Sequence, residues 1–173
     1  MQSKNFDIEI LKLNHVPLLL DYYSSNKEHL EIWHPTTPEG FYTLEYQTNK
    51  VKERINLIKE GKSIHFLMFD KSNNKMIGHC NYTKIENHKC WVGCSISKFY
   101  QGKSLMYEAL KLTNASVMDK LNIKEIRAGI LPHNERSIRL IKRLNFKYVD
   151  EKDRLEINGK MWIYDTYLLA SHV

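Results

Sequence analysis

The sequence lacks the linkers and repeats that separate domains, and it lacks long apolar segments. Its 173 residues include only 7 Gly and 4 Pro, and they contain neither a linker-like run nor an internal repeat. We therefore expect one domain that spans residues 1–173. No apolar run approaches the ~20 residues of a membrane helix, and residues 1–7 lack the apolar stretch of a secretion signal. These absences predict a cytoplasmic protein.

Cysteine is also scarce. Cys80, Cys90 and Cys94 are an odd number of thiols, which is typical of reduced cysteines and not of a disulfide scaffold. On a strand from Lys89 to Ile96, Cys90 and Cys94 would share one face but lie roughly 13 Å apart at 3.3 Å per residue. Both sulfurs cannot then bind one zinc ion, whose bonds to sulfur are about 2.3 Å long. We predict no metal.

The chain has no block of like charges, although its net charge is +6. Such a charge permits nucleic acid, acidic protein surfaces or a polyanionic cofactor as partners. The Lys and Arg residues are scattered among Asp and Glu, and no nucleic-acid motif with interleaved aromatics is present. We interpret most of the excess as a solvated surface and do not expect nucleic acid as a partner.

Hydrophobic periodicity predicts an α+β fold. We expect a mixed, mostly antiparallel central sheet flanked by helices, with Asn14 as a possible N-cap and Asn158-Gly159 as a type I′ hairpin turn. The predicted elements are a strand from Phe6 to Leu13, helices over Val16 to Asn26, Lys27 to Trp33 and Leu44 to Glu60, strands over Ser63 to Phe69, Lys75 to Tyr82 and Lys89 to Ile96, a helix over Ser104 to Leu121, a strand over Glu125 to Ile130, a helix over Asn134 to Leu144, and strands over Lys147 to Leu155 and Lys160 to Leu168.

A glycine loop joins the strand that ends near Ile96 to the following helix. Gly102 lets the backbone approach a phosphate, and the helix start offers unpaired N–H groups with a partial positive charge. Lys98 and Lys103 add full charges beside it, and Ser104 can cap the helix. Taken alone, this loop fits an ordinary glycine turn equally well.

A second segment follows the next strand. It runs from Leu131 to Ser137 and places the Asn134 amide and the Ser137 hydroxyl on adjacent turns of one helix face. Together with Tyr100 to Leu110, this segment resembles the acyl-CoA loop and the Asn-x-x-Ser helix start of the Gcn5-related N-acetyltransferase (GNAT) superfamily. Within it, the chain is similar to the RimJ/RimL-type ribosomal-protein alanine N-acetyltransferases. Further matches are Asp21-Tyr22-Tyr23, Asn26, Trp33, Arg143-Leu144-Asn145-Phe146 and Asn158-Gly159.

The resemblance implies acetyl-CoA as the acetyl donor. It places the pantetheine arm on the backbone near Cys94, Ser95 and Ile96. Asn134 would hold the pantetheine, and Ser137 would lie near the thioester sulfur as a proton donor to the leaving thiolate. The pyrophosphate would bind the loop residues Gln101, Gly102, Lys103, Ser104 and Leu105.

Two positions depart from the family pattern. The family usually has Gly or Ala where this chain has Ser104, so one close approach of the backbone would be rearranged. Many members carry a tyrosine as general acid about one turn beyond the serine, and here that position holds Ile141. Ser137 is then the leading candidate acid, with a serine that bonds its own helix turn as the structural alternative.

The acceptor must be a neutral amine, because a protonated amine has no lone pair. Deprotonating a lysine near neutral pH costs about 3.5 kcal/mol more than deprotonating a chain α-amine. Since no strong base stands out, the acceptor is predicted to be a protein N-terminal α-amine. His34 is the first candidate base, Glu31 the second and Glu156 a weaker third, although each is also typical of a solvated surface; periodicity leaves the direction of His79 open.

Two other functions stay open. One keeps the fold but changes the acceptor to a small amine, such as a polyamine, an amino sugar, an antibiotic or a peptide toxin, because acceptor choice resides in variable loops. The other is a non-catalytic module that binds CoA or RNA. The sequence leaves both a monomer and a homodimer open.

Overall fold

Seven strands form one sheet that lies between helices in the computed structural model, which describes residues 3–157 and 159–171. The strand order is β1-β2-β3-β4-β5-β7-β6. The pair β4–β5 is parallel, and every other described pairing is antiparallel, which confirms the predicted α+β class. The elements are β1 Phe6–Ile10, α1 Val16–Ser25, α2 Lys27–Leu30, α3 Leu44–Lys59, β2 Ile64–Asp70, β3 Met76–Glu86, β4 Lys89–Ile96, α4 Leu105–Lys120, β5 Glu125–Ile130, α5 Glu135–Arg143, β6 Lys147–Ile157 and β7 Lys160–Ala170.

The central strands are buried on both faces because their side chains alternate between two cores. Phe66 and Met68 of β2 belong to the core that α4 and α5 cover, whereas Leu67 and Phe69 belong to the core under α1 and α3. This explains why β2 is almost continuously apolar instead of alternating. The helices α1 and α3 pack on β2 and β3, while Gly93 in the middle of β4 is exposed.

Helix starts and ends differ from the predictions at a few positions. Asn14 does not cap α1, because it lies in a short 3₁₀ turn and His15 holds the N-cap position without a side-chain hydrogen bond. The helix α2 ends at Leu30 and not at Trp33, since the chain turns there and the amides of Trp33 and His34 both bond the Leu30 carbonyl. A type I′ turn at Asn158-Gly159 remains a prediction, because Asn158 lies outside the described residues.

The helices of residues 3–157 and 159–171 include none with the length and apolar character that crossing a bilayer requires. Cys80, Cys90 and Cys94 are free thiols. In the same part of the chain, no three His, Cys, Asp or Glu side chains are grouped as a metal site requires.

Gly78 of β3 lies against the backbone at the end of β4. A Cβ atom at Gly78 would lie 2.6 Å from the carbonyl oxygen of Ser95 and 3.2 Å from the Cα of Ile96. Both are backbone atoms, which cannot rotate away as a side chain can. The end of β4 therefore keeps its place against β3 only with glycine at position 78.

We predict that Gly78→Ala lowers the free energy of unfolding by about 1–3 kcal/mol, because the added methyl group forces the two strands apart. The matched control is Gly93→Ala on β4, where an added Cβ would meet nothing within 4 Å. That variant should be as stable as the wild type or more stable by up to about 1 kcal/mol, because a strand favours alanine over glycine. Urea denaturation followed by circular dichroism measures both values, and equal stabilities for the two variants would contradict this account.

Candidate active site

The sheet opens between β4 and β5. The two strands pair only at Lys89–Glu125, Cys90–Ile126 and Trp91–Arg127, and then they part. On its other side β4 stays paired with β3 as far as Ile96. The β4 edge that faces β5 is therefore unpaired by any described strand beyond Trp91, and the predicted residues Cys94, Ser95 and Ile96 lie along it, half-buried. Such an edge can pair with the amide groups of an extended ligand.

The loop after β4 is shaped by two residues in the left-handed region. Gly102 has φ +75° and Ser104 has φ +57°. Ser104 does occupy the N-cap position of α4, but the predicted side-chain cap is wrong, because its hydroxyl makes no capping hydrogen bond. The first N–H groups of α4 therefore have no side-chain cap and are free to bind an anion. A non-glycine residue in this region costs about 1–2 kcal/mol, so Ser104 holds a backbone conformation that glycine adopts more readily.

The Gln101 side chain connects this loop to two helices. Its Oε1 accepts a hydrogen bond from Arg136 Nη1 at 2.7 Å, and its amide nitrogen lies 2.8 Å from His29 Nε2. Burial lowers the pKa of His29, and the positive charges of Lys98 and Arg136 lower it further, against the raising effect of a hydrogen bond with the Ile96 backbone. A neutral imidazole can then accept from the Gln101 amide. Sequence analysis missed His29 and Arg136 as members of this site.

Asn134 and Ser137 lie at the start of α5, and the bond between Arg136 and Gln101 brings this segment to the loop. Asn134 is the N-cap of α5, and its Oδ1 accepts a hydrogen bond from the Ser137 backbone N–H at 3.2 Å. The Ser137 hydroxyl makes no hydrogen bond to another described residue. Ile141, which replaces the family tyrosine, is packed in the core and is 4% exposed.

A hydrogen-bonded chain of side chains lies on the opposite face of β4 from α4. Ser95 Oγ is 2.8 Å from His79 Nε2 and 2.9 Å from the Tyr22 hydroxyl of α1. The direction of His79 is thereby clear: its ring packs edge-on against Tyr22 and Tyr23, below α1. Burial holds the pKa of His79 well below its ordinary value, so this imidazole is neutral.

His34 and Glu31, the first two candidate bases, lie in the segment that follows α2. Burial lowers the pKa of His34, and the neighbouring His29 lowers it further. Glu31 accepts a hydrogen bond from the Tyr42 hydroxyl at 3.0 Å and so helps to fix the loop. Burial together with this carboxylate raises the pKa of Tyr42 to about 12. Glu156 is exposed on β6, without a contact to these groups.

Comparison with known proteins gives consistent similarities. A model of the acetyltransferase (GNAT) domain matches residues 8–147. The chain is 34% identical over 151 residues to the ribosomal protein uS5-alanine N-acetyltransferase of Escherichia coli K12, covering 82% of this chain and 75% of that protein. Its fold matches the ribosomal-protein-S5-alanine acetyltransferase of Vibrio fischeri with a TM-score of 0.93 and 25% identity, covering 98% of this chain and 95% of that one. RimL, a ribosomal L7/L12 α-N-protein acetyltransferase solved with coenzyme A, matches with a TM-score of 0.89 and 20% identity over 97% and 95% of the two chains.

The buried histidines make the fold sensitive to acid. Burial, and to a smaller extent the nearby Arg54, lower the pKa of His65 to about 4. Between pH 6.5 and 4 the unfolded chain therefore binds a proton that the folded chain excludes, and folding weakens as the pH falls. His65 alone contributes about 3 kcal/mol to this loss, and His79 adds to it.

We predict that the free energy of unfolding falls from pH 6.5 to pH 5, above the range in which most carboxylates titrate. In His65→Leu the fall should be shallower, because the apolar side chain fills the site without a proton equilibrium. Urea denaturation at a series of pH values tests this. A stability that is flat over that window, or an equal slope in the variant, would show that His65 is not the cause.

Proposed function

We propose that this chain, which belongs to the acetyltransferase (GNAT) family, moves acetyl from acetyl-CoA to the N-terminal α-amine of a ribosomal protein. The protein is an acyl-CoA N-acyltransferase, and acetyl-CoA is its donor. The ribosomal acceptor is supported by the 34% identity to an enzyme named for the alanine of ribosomal protein uS5. The main structural support for the proposed acetyl-CoA site is the opening between β4 and β5, which leads to a helix start without a side-chain cap. A ribosomal acceptor also fits the predicted cytoplasmic location.

The donor is proposed to lie along the open edge of β4. Its pyrophosphate would bind the backbone N–H groups from Gln101 to Leu105, where Lys103 and Arg136 supply positive charge. Its pantetheine arm would pair with the backbone from Cys94 to Ile96. Because the Asn134 oxygen already accepts a hydrogen bond in the cap, the amide NH₂ is the group that we propose binds the arm.

The transfer is proposed to be direct, without an acyl-enzyme. Burial raises the pKa of the Cys94 thiol to about 12, so the one cysteine on the predicted donor edge is protonated and a poor nucleophile. The neutral amine would attack the thioester carbon, and the oxygen would gain negative charge beside a β4 backbone N–H. The C–S bond then breaks, and the thiolate takes a proton from the Ser137 hydroxyl, which solvent reprotonates.

His34 is proposed to accept the proton of the amine. Since its pKa lies below 6.5, it is unprotonated near neutral pH and can act as a base. An α-amine needs only this modest help, because its own pKa is about 8. Glu31 is the weaker candidate, since the Tyr42 hydroxyl already occupies its carboxylate.

Ser137→Ala should lower kcat by about 10- to 1,000-fold with little change in the affinity for acetyl-CoA, because only the departing thiolate needs the hydroxyl. Asn134→Ala should raise the Kd for CoA and also lower stability by about 1 kcal/mol through the lost cap. Asn134→Ser separates the two effects, because serine can cap the helix but cannot offer the amide NH₂. Steady-state kinetics and calorimetry measure both, and unchanged values in both alanine variants would contradict these roles.

The acceptor can be identified by offering Ala-initiated peptides, peptides with a blocked N-terminus and one internal lysine, polyamines and amino sugars in parallel. Mass spectrometry should find one acetyl group on the α-amine of the Ala peptides and far slower reaction elsewhere. Acetylation of a small amine alone would favour the small-amine alternative. Salt-sensitive RNA binding without release of CoA from any acceptor would favour the non-catalytic alternative.

A further inference from the structure

Gly93 is an exposed glycine in the middle of β4, at the open part of the sheet. A Cβ atom built at this position meets no other atom within 4 Å. Its φ is not among the positive values that favour glycine. Glycine in a strand is less stable than alanine by roughly 0.5–1 kcal/mol, so the fold itself gives no reason for glycine here.

Two other strand glycines behave differently. At Gly78 an added Cβ would meet the Ser95 carbonyl oxygen at 2.6 Å, and at Gly129 it would meet the Tyr164 ring at 2.5 Å. At both positions close packing therefore explains why the residue is glycine. The space over Gly93 is left open by the protein itself.

This space lies beside the proposed reaction centre but outside the path of the donor. Side chains at Trp91, Gly93 and Ser95 project to one face of β4, at about 6.6 Å intervals. The donor arm is proposed to run in the plane of the sheet, from the loop after Ile96 back towards Trp91, where β4 and β5 join. Its acyl end then comes close to Gly93, and the empty place above the sheet is adjacent to the thioester carbon.

The side chains on either side of the open space over Gly93 are held in position by contacts with other residues. Towards the closed end of the cleft, Trp91 and Tyr164 pack edge-to-face with ring centroids 6.4 Å apart, and the Tyr164 hydroxyl donates to Asp153 at 2.9 Å. Towards the open end, Ser95 is held by His79 and by Tyr22. The open space over Gly93 therefore has aromatic rings on one side and polar groups on the other. A short aliphatic side chain could pack on the rings while the amine next to it lies near the polar groups.

We propose that Gly93 selects the acceptor, because the first residue of the acceptor polypeptide lies over it, with the α-amine on the Ser95 side and the aliphatic side chain against Trp91 and Tyr164. This rests on the proposed function, and it adds a specificity residue to it. A side chain at position 93 would occupy the space proposed for the acceptor residue. It would not contact the loop from Gln101 to Leu105, which is proposed to bind the pyrophosphate.

The test compares Gly93→Ala and Gly93→Val with the wild type on three measurements: acetylation of an Ala-initiated peptide, calorimetric binding of CoA, and enzyme-catalysed acetylation of hydroxylamine, a nucleophile without a chain. We expect kcat/KM for the peptide to fall about 100-fold with valine and less with alanine. Binding of CoA should change less than about twofold, and the reaction with hydroxylamine should persist. Arg154→Val, which places the same side chain on the exposed outer strand β6, should match the wild type with the peptide.

Urea denaturation of each variant confirms that the fold is retained, and alanine is the milder variant should valine prove unstable. Retention of full peptide activity in Gly93→Val would overturn this inference alone. Parallel loss of CoA binding would also overturn it, since Gly93 would then serve the donor. A wild type that acetylates no peptide would overturn the proposed function as well, so the two failures are distinguishable.

Discussion

The parting of β4 from β5 after Trp91 is the constraint on which the site depends. Each of these strands is followed, after a loop, by a helix, so their separation also spreads the starts of α4 and α5 to the two sides of one opening. Unpaired backbone groups along the edge and unpaired N–H groups at the helix starts then face a common space. The backbone groups of such an opening can be satisfied by water or by a ligand, and an extended ligand with amides and phosphates matches both surfaces.

The elements that carry the proposed donor side could be predicted from the sequence because their signals are local. A glycine before a helix and an Asn-x-x-Ser start after a strand are short segments, and β5 was predicted to the residue as Glu125–Ile130. The errors are local too. Whether Asn14 or Ser104 caps a helix depends on backbone dihedrals, and the φ of +57° at Ser104 follows from the turn and not from the residue type. Hydrophobic periodicity carries no information about such angles.

The acceptor side could not be predicted, because distant segments build it. Tyr22, His79 and Ser95 meet only when α1 packs on the sheet and β3 pairs with β4 in one register. A slip of one residue between β3 and β4 would place His79 and Ser95 on opposite faces of the sheet. Arg136 was visible within the Asn-x-x-Ser segment, but only the folded chain shows that it reaches Gln101.

The two halves of the site therefore tolerate change differently. The donor half is mostly main chain, which a substitution alters little as long as the strands and helix starts persist. The proposed acceptor half is made of side chains on one face of β4, and at Gly93 it consists of a missing side chain. Adding a few carbon atoms there, at no evident cost to packing, changes which amine can approach the thioester. Relatives with this fold can thus share a donor and still differ in acceptor, and the proposed difference lies on the face of β4 that carries Trp91, Gly93 and Ser95 as well as in the variable loops.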